Sequence, residues 1–345
     1  MGAFTGESLG ERLRNHFGHR HHLYGVLLDE IGLDWERGGV GRDILAGWEQ
    51  ARPQALPQLR LLAGLFRVVL RGAAPDLAEF YPCLGGLRDP EQVWPIAQPV
   101  IEAYAAELRS ALDVHPQTNE VGRCVALHVG LVHAVRATGL SRVRLLEPGA
   151  SGGLGLQVDR VRLLGEGWRA GPADSGLVIE GCGARGLGHA AYDIVHRAGC
   201  DIDPVDASTP EGAAYLTSFV WPFHIDRHER LRAALALARA HPVVLDRAPA
   251  SSWVRERLAE PVPDGVLTVV WHSVTRIYWP RAETQAMEAA IEEARGRIPV
   301  VHIAMEHPWD GSTPQADAGE LPVIEVDGVR LGHCGHHGPP VALDH

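Results

Sequence analysis

The sequence contains no lysine, and all 32 of its Lys-plus-Arg positions are arginine. Schiff-base chemistry and the P-loop lysine both need an amine that arginine cannot supply, so both are excluded. The chain has five cysteines, scattered and without a C-x-x-C pair. Neither a disulfide framework nor a thiolate zinc site is therefore indicated, and we expect reduced thiols.

Long apolar runs and dense basic runs are also missing. No stretch approaches the roughly 20 uninterrupted apolar residues of a membrane span, and the amino terminus lacks the apolar core of a signal peptide. We therefore expect a cytoplasmic protein with no membrane partner. The net charge of -11 repels a phosphate backbone, so nucleic acid is not an expected partner.

The 345 residues change in texture after Thr138. Over residues 1–138, apolar residues recur at helical spacing, which predicts a helical cap or substrate domain. Over residues 139–345, short apolar runs alternate with helical stretches, which predicts a doubly wound, Rossmann-like α/β domain with a parallel sheet. The predicted strands are 143–146, 177–179, 243–245, 266–271 and 300–304, and the predicted crossover helices are 229–240 and 283–295.

The carboxyl-terminal region has a different pattern. Two short apolar runs, 323–326 and 329–331, flank the dipeptide Asp327-Gly328. Asp-Gly is a preferred dipeptide in tight hairpin turns, so we expect an antiparallel pair to finish the sheet.

The most informative segment is an acid at the end of a buried strand, followed by a turn of small residues. Small residues let main-chain N–H groups approach a ligand, while the acid attracts its polar or cationic part. A dinucleotide fingerprint needs a glycine where Ser151 stands, so nicotinamide or flavin is the runner-up ligand, and a structural strand-to-helix turn is the alternative. The predicted cofactor-binding residues of this segment are Glu147, Gly149, Ser151, Gly152 and Gly153.

The spacing E-x-G-x-S-x-G resembles the first motif of class I S-adenosylmethionine-dependent methyltransferases, with serine in place of a second glycine. The resemblance implies S-adenosylmethionine as the cofactor. It also implies that Glu180, with Asp201 as its rival, binds the ribose hydroxyls and that Asp246 contacts adenine. A single acid at a strand end is as often a helix cap or a solvated terminus.

A second polar cluster, Q-T-N-E-V-G-R, occupies residues 117–123 before an apolar helix. Thr118 or Asn119 can cap that helix, and an arginine at this place can hold a carboxylate in a bidentate pair. We interpret the cluster as a substrate-side lid, with helix capping as the alternative. Its predicted substrate-binding residues are Gln117, Asn119, Glu120 and Arg123.

The fourth predicted strand ends in Trp271-His272-Ser273 and lacks an Asn-Pro-Pro-aromatic motif. His272 is our candidate general base, because imidazole titrates near neutrality; a histidine that caps the strand or packs at the domain seam is the alternative. Histidine-rich runs at 16–22 and 333–337 offer ligands for zinc or nickel but lack a second spaced half. We predict no required metal.

Taken together, these segments resemble the bacterial domain of unknown function 2332 family. The resemblance spans nearly the whole chain and brings no reaction of its own. Our first hypothesis is a methyltransferase that acts on a small-molecule substrate. The alternatives are a cofactor-binding or regulatory protein without chemistry and a metal-dependent hydrolase built on the histidine runs. The residues that carry the resemblance are 80–86, 117–124, 145–159, 199–206 with 220–222, and 271–273.

Overall fold

The computed structural model describes residues 7–17, 21–51, 55–308 and 320–344. The chain divides into two compact units, residues 1–118 with 214–229 and residues 119–213 with 230–345. This division differs from the predicted boundary after Thr138. The helix Cys124–Thr138 belongs to the second unit, because it packs beside the strands of the large sheet.

The first unit is helical. Its first helix begins at a capping box between Ser8 and Glu11, and its second ends at Gly38, whose φ of 79° is readily adopted by glycine. The unit's apolar core includes the stacked rings of Phe66 and Tyr81, with centroids 4.6 Å apart. The helices are α1 (Leu9–Asn15), α2 (Leu23–Arg37), α3 (Val40–Ile44), α4 (Pro57–Leu70), α5 (Pro75–Ala78), α6 (Trp94–Ala103) and α7 (Ala105–Ala111).

The second unit contains an eight-stranded sheet and a separate three-stranded sheet. Helices α9 (Pro210–Ser218) and α10 (Ile225–Ala240) cross the boundaries between the units. The other helices are α8 (Cys124–Thr138), α11 (Ala250–Ala259) and α12 (Arg281–Arg295). The strands are β1 (Arg142–Pro148), β2 (Arg162–Leu164), β3 (Arg169–Ala170), β4 (Val178–Ile179), β5 (Asp193–Asp201), β6 (Leu245–Arg247), β7 (Val266–Ser273), β8 (Val300–Glu306), β9 (Val323–Val326), β10 (Val329–Gly335) and β11 (Gly338–Leu343).

Five parallel strands form the larger part of the eight-stranded sheet. The spatial order is β11-β10-β9-β8-β7-β1-β5-β6, and the strands from β8 to β6 run parallel. Strand β7 is buried from Val266 to His272, as expected for a strand covered on both faces. The predicted mixed α/β class with a large parallel sheet is therefore confirmed.

Two predicted strands need correction. The run at 177–179 forms β4, which pairs with β2 in the three-stranded sheet β3-β2-β4 and does not join the large sheet. The neighbour of β1 is instead β5, whose polar residues hide its strand character in the sequence. The run predicted at 243–245 begins two residues later as β6, and Asp246 lies inside this strand.

The carboxyl-terminal hairpin is confirmed and extended. Val326 pairs with Val329 across Asp327 and Gly328, whose φ angles of 51° and 75° suit a tight hairpin turn. A further antiparallel strand, β11, follows β10, so the sheet ends in three antiparallel strands. No helix among the described residues combines the length and the apolar character of a membrane span.

Candidate functional site

The order of the large sheet reverses between β1 and β7. Counted along the chain, its five parallel strands lie in the order third, second, first, fourth and fifth. Ligands of such sheets bind in the crevice outside the carboxyl ends of the strands, at the point where the order reverses. In this chain Glu147 near the end of β1 and Asp201 at the end of β5 lie beside that point.

The glycine turn after β1 is tight. Gly149, Ser151 and Gly153 have φ angles of 75°, 54° and 68°, and glycine adopts this left-handed region without steric cost. The N–H groups of Gly149 and Ala150 both donate to the carbonyl of Cys200, at 2.8 and 2.9 Å. The turn is therefore fastened to the end of β5, the neighbouring strand.

The side chains of Asp201 and Asn119 accept further backbone N–H groups of the turn. The Ser151 N–H donates to Oδ2 of Asp201 at 2.9 Å, and the Leu154 N–H donates to Oδ1 of Asn119 at 3.0 Å. Asn119 also donates through Nδ2 to the carbonyl of Ala150, at 3.2 Å. Together with Gly153, which donates to Ala150, these N–H groups have protein acceptors and are not presented to a ligand. Gly152 is buried within the same turn.

The small residues of the turn also allow close packing within the unit. A Cβ on Gly149 would lie 2.7 Å from Cγ2 of Thr275, and a Cβ on Gly155 would lie 2.5 Å from Oε1 of Glu147. Both distances are shorter than real Cβ contacts. The glycines therefore let the segment after β7 and the Glu147 side chain lie against the turn.

Glu147 is buried, with 5% of its surface exposed. Its Oε1 accepts a hydrogen bond from Nε1 of Trp271 at 3.2 Å, whereas its buried Oε2 has no hydrogen-bond partner among the described residues. Burial raises the pKa of this carboxyl to about 8, although the bond from Trp271 lowers it in part. Glu147 is thus mainly protonated at neutral pH, so in the absence of a ligand it is a neutral acid and not a carboxylate.

At the end of β5, the structure adds an exposed Ile202 to Asp201, which was predicted from the sequence as the rival of Glu180. Asp201 is half-buried and accepts the N–H of Asp203 through Oδ1, at 3.0 Å. Ile202 between them is 61% exposed, which is uncommon for a large apolar side chain beside two carboxylates. An exposed apolar surface next to carboxylates can contact a nucleobase and a sugar hydroxyl together. The run D-I-D after a strand is the signal that points to it.

Glu180 does not join this group. It is exposed, and it follows β4 in the three-stranded sheet, so the placement predicted at the carboxyl edge of the large sheet is wrong. The local run before it, Leu177-Val178-Ile179, is strand-like, but a local pattern does not specify which sheet a strand joins. Asp201 takes the position at the end of the second parallel strand.

Asp246 has a different partner set from the one predicted. Its Oδ2 accepts Nε1 of Trp253 at 2.7 Å and Nη2 of Arg257 at 2.5 Å. These two hydrogen bonds lower the pKa of the Asp246 carboxyl. Since the strand begins later than predicted, Asp246 lies within β6 and fastens α11 to the sheet.

His272 lies in a buried hydrogen-bonded chain at the end of β7. Its Nδ1 lies 2.7 Å from Oε1 of Glu306, its Nε2 lies 2.9 Å from Nε2 of His302, and the residue has no exposed surface. Burial, followed by the charge of His272, holds the pKa of His302 well below its usual range. With both ring nitrogens engaged, this arrangement does not present His272 to a substrate.

Glu306 is the centre of that chain. Its Oε1 accepts the N–H of Thr275 at 3.0 Å and the Thr275 hydroxyl at 3.2 Å, and the N–H of Arg276 contacts both oxygens at 3.3 Å. Burial raises the pKa of Glu306, but the bond and charge of His272 and the N–H of Thr275 outweigh it, so the pKa is lowered. Glu306 therefore holds the segment after β7, in which Val274 has a φ of 51°.

Residues of the polar cluster at 117–123 form hydrogen bonds with the backbone of several segments. Glu120 caps the following turn by accepting the N–H of Gly122, and Arg123 donates to the carbonyls of His336 and Ser273 at 3.1 and 3.3 Å. Asn119 fastens the glycine turn, as described above. Asn119 and Arg123 therefore connect the turn after β1, the end of β7 and the β10–β11 turn, whereas Gln117 is a buried residue of the first unit.

The histidine-rich runs form no metal cluster in the described part of the chain. Residues 18–20 of the first run lie outside the described residues. In the second run, the ring of His336 packs against that of His307, with centroids 5.0 Å apart and the planes tilted by 32°. No group of three or more His, Cys, Asp or Glu side chains among the described residues is placed to hold a metal ion.

Fold and site together define a mixed α/β protein whose mostly parallel sheet reverses its order beside buried carboxylates. A family model described as "Uncharacterized protein conserved in bacteria (DUF2332)" matches residues 14–342. The chain belongs to this family. Neither a curated protein nor a solved structure matches it.

Proposed function

We propose that the second unit binds S-adenosylmethionine at the carboxyl edge of its parallel sheet and transfers the methyl group to a small-molecule acceptor. The observation that carries this proposal is the reversal of strand order beside Glu147 and Asp201. In doubly wound sheets that reversal is where nucleotide-type ligands bind. The resemblance of the turn to the first methyltransferase motif supports S-adenosylmethionine as the cofactor.

The residues at this edge fit different parts of such a cofactor. The Asp201 carboxylate suits the two vicinal hydroxyls of a ribose, since each carboxylate oxygen can accept more than one hydrogen bond. The exposed Ile202 offers an apolar surface for adenine. The Oε2 atom of Glu147 has no hydrogen-bond partner among the described residues, and a cationic aminoacyl part beside it would lower the pKa of this carboxyl and favour its charged form. The N–H groups of the turn that donate to protein acceptors stabilise the conformation of the turn itself.

When bound, S-adenosylmethionine supplies an electrophilic methyl group on a sulfonium. The protein's contribution is then chiefly to align the acceptor with that methyl group and to exclude water, which needs few catalytic side chains. Arg123 and Asn119 serve this alignment by holding the ends of β1 and β7 in place. His272 retains its predicted role as a base only if the chain from Glu306 to His302 opens.

Calorimetric titration of the full chain with S-adenosylmethionine and S-adenosylhomocysteine tests the proposal. Asp201→Asn removes the charge and leaves one acceptor oxygen for the N–H groups of Ser151 and Asp203, and we expect about tenfold weaker binding. The matched control is Asp246→Asn, one strand away, whose carboxylate already serves Trp253 and Arg257. We expect its affinity to equal that of the wild type.

The proposal fails if the intact protein binds neither compound, or if the two variants lose affinity equally. Release of a labelled methyl group into a metabolite extract tests the transfer step. We expect label in a small-molecule product with the wild type and none with heat-denatured protein.

A second candidate is a protein that binds the cofactor without catalysing transfer. The specific observation in its favour is the burial of His272, both of whose ring nitrogens have partners. Cofactor binding without label transfer across a broad acceptor panel supports this candidate. Transfer to any small molecule eliminates it.

A further inference from the structure

A cavity of about 720 Å³ lies within the second unit, between α8, the three-stranded sheet and the loop before β5. Its volume is in the range of small-molecule sites, roughly 300–1,000 Å³. We call it the arginine cavity, and the lining residues on which the argument depends are His128, Asp159, Arg162, Trp168, Arg169 and Tyr192.

One wall of the arginine cavity is aromatic and held rigidly. The Trp168 ring stacks on His128, with centroids 5.1 Å apart and an interplanar angle of 24°. Its Nε1 donates to the carbonyls of Gly183 and Ala184, at 3.0 and 3.1 Å. His128 is fixed in turn by a hydrogen bond of 2.8 Å between its Nδ1 and the Tyr192 hydroxyl. A planar ligand ring meets aromatic side chains that do not need to be ordered on binding.

The cavity also carries guanidinium groups that have no carboxylate partner. Arg162 donates through Nη1 to the carbonyl of Gly171 at 2.8 Å, and neither Arg162 nor Arg169 forms an ion pair among the described residues. Arg169 is exposed, whereas Arg162 is partly buried. Guanidinium groups bind carboxylate and phosphate oxygens through directed hydrogen bonds.

Asp159, the carboxylate of the wall, does not neutralise these groups. Its two oxygens accept Nη1 and Nη2 of Arg197 in a bidentate pair, each at 2.8 Å. Burial lowers the pKa of His128 to about 4, so the imidazole stays neutral near pH 7. The guanidinium groups of the wall that form no ion pair among the described residues are therefore those of Arg162 and Arg169.

We propose that the arginine cavity is a binding site for a small aromatic anion, whose oxyanion contacts Arg162 and Arg169 and whose ring packs against the Trp168 and Tyr192 wall. Carboxylates and phosphate esters share this oxyanion chemistry. The residues of this site are not used in the cofactor proposal. The test of anion binding is therefore independent of methyl transfer.

Ligand-observed saturation-transfer NMR and calorimetry on the full chain test this site with benzoate, phenyl phosphate, inorganic phosphate and neutral benzamide. We expect saturable binding of benzoate or phenyl phosphate, and the tighter of the two identifies the anion class. Benzamide should bind at least about tenfold more weakly, because a lost charge-assisted hydrogen bond has that effect.

Arg169→Gln is the first variant, because its exposed side chain has no ion pair whose loss would disturb folding; Arg162→Gln is the second. Each should weaken binding of the preferred anion about tenfold. The matched control is Arg297→Gln, an exposed arginine that does not line the cavity, and it should leave the affinity unchanged. Circular dichroism verifies that all three variants are folded.

Several results would overturn the proposal. One is the absence of saturable binding for both aromatic anions, and another is equal affinity for benzoate and benzamide. Equal affinity of inorganic phosphate and phenyl phosphate would remove the aromatic wall from the site. Equal effects of Arg169→Gln and Arg297→Gln would show that any binding occurs elsewhere on the surface.

Discussion

The ends of β1 and β8 carry two carboxyl groups with opposite properties. Glu147 is 5% exposed and Glu306 is 3% exposed, and both lie in strands of the same parallel set. Glu147 receives one side-chain hydrogen bond, from Trp271. Glu306 instead contacts His272 and the N–H groups of two consecutive residues.

This difference explains why equal burial gives opposite pKa shifts. Transfer from water raises the pKa of both carboxyl groups, and donors to the charged form lower it again. At Glu306 the donors prevail, whereas at Glu147 burial prevails and the pKa reaches about 8. Glu306 is thus a charged group that holds the segment after β7, and Glu147 is a mainly neutral acid beside a candidate ligand site.

The largest expected effect comes from the same substitution at the two positions. Glu306→Gln removes the charge and places an NH₂ group among N–H donors, so the free energy of unfolding should fall by about 2–3 kcal/mol. Glu147→Gln replaces an acid that is mainly neutral in the folded state and charged in the unfolded chain, so at pH 7 it should raise that free energy, by up to about 3 kcal/mol. Urea unfolding followed by tryptophan fluorescence measures both values. Equal losses would refute the contrast.

The contrast also shows what the sequence could and could not predict. Glu147 and its turn were recognisable because a short strand, apolar except for Arg144, and a glycine-rich segment are local signals. The partners of Glu306 were not, since His272 and Thr275 lie about 30 positions away in the chain and meet it only through the pairing of β7 with β8.

The same limit explains the sheet assignments. The short apolar run before Glu180 is a genuine strand, but nothing local shows that β4 pairs with β2 rather than with β1. Strand β5 was missed because His196 and Arg197 interrupt its apolar pattern, and it is identified by its register with β1. The hydrogen bond from Asn119 to Ala150 likewise joins residues that lie 31 positions apart in the chain.

The pH dependence of stability sharpens the comparison further. The pKa of Glu147 is raised from 4.5 to about 8 in the folded state, so between those values the unfolded chain has lost a proton that the folded chain retains. The free energy of unfolding should therefore fall as pH rises from about 5 to 8, by up to about 1.4 kcal/mol per pH unit from this group. Glu147→Gln should remove that slope. Parallel pH curves for wild type and variant would contradict it.

For Glu306 we expect the opposite dependence of stability on pH. Its lowered pKa contributes stability above the ordinary value of 4.5, and that contribution is lost as pH falls through the folded pKa. The difference between wild type and Glu306→Gln should therefore shrink on acidification below about pH 4.5. A difference that stays constant down to the folded pKa would show that charge is not what Glu306 contributes.

The smallest expected effect tests the redundancy of the Glu306 donors. Thr275→Val keeps the side-chain shape and the N–H bond but removes the hydroxyl donor, so it should cost about 0.5–1.5 kcal/mol. Thr268→Val is the matched control, because the Thr268 hydroxyl is fully buried in β7 and has no hydrogen-bond partner in the described part of the chain. Replacing an unsatisfied hydroxyl by a methyl group should stabilise the protein by about 1 kcal/mol. These two isosteric changes, Thr268→Val within β7 and Thr275→Val just after it, should thus shift the urea midpoint in opposite directions. If both lower it, the Thr275 hydroxyl bond is not what distinguishes the two positions.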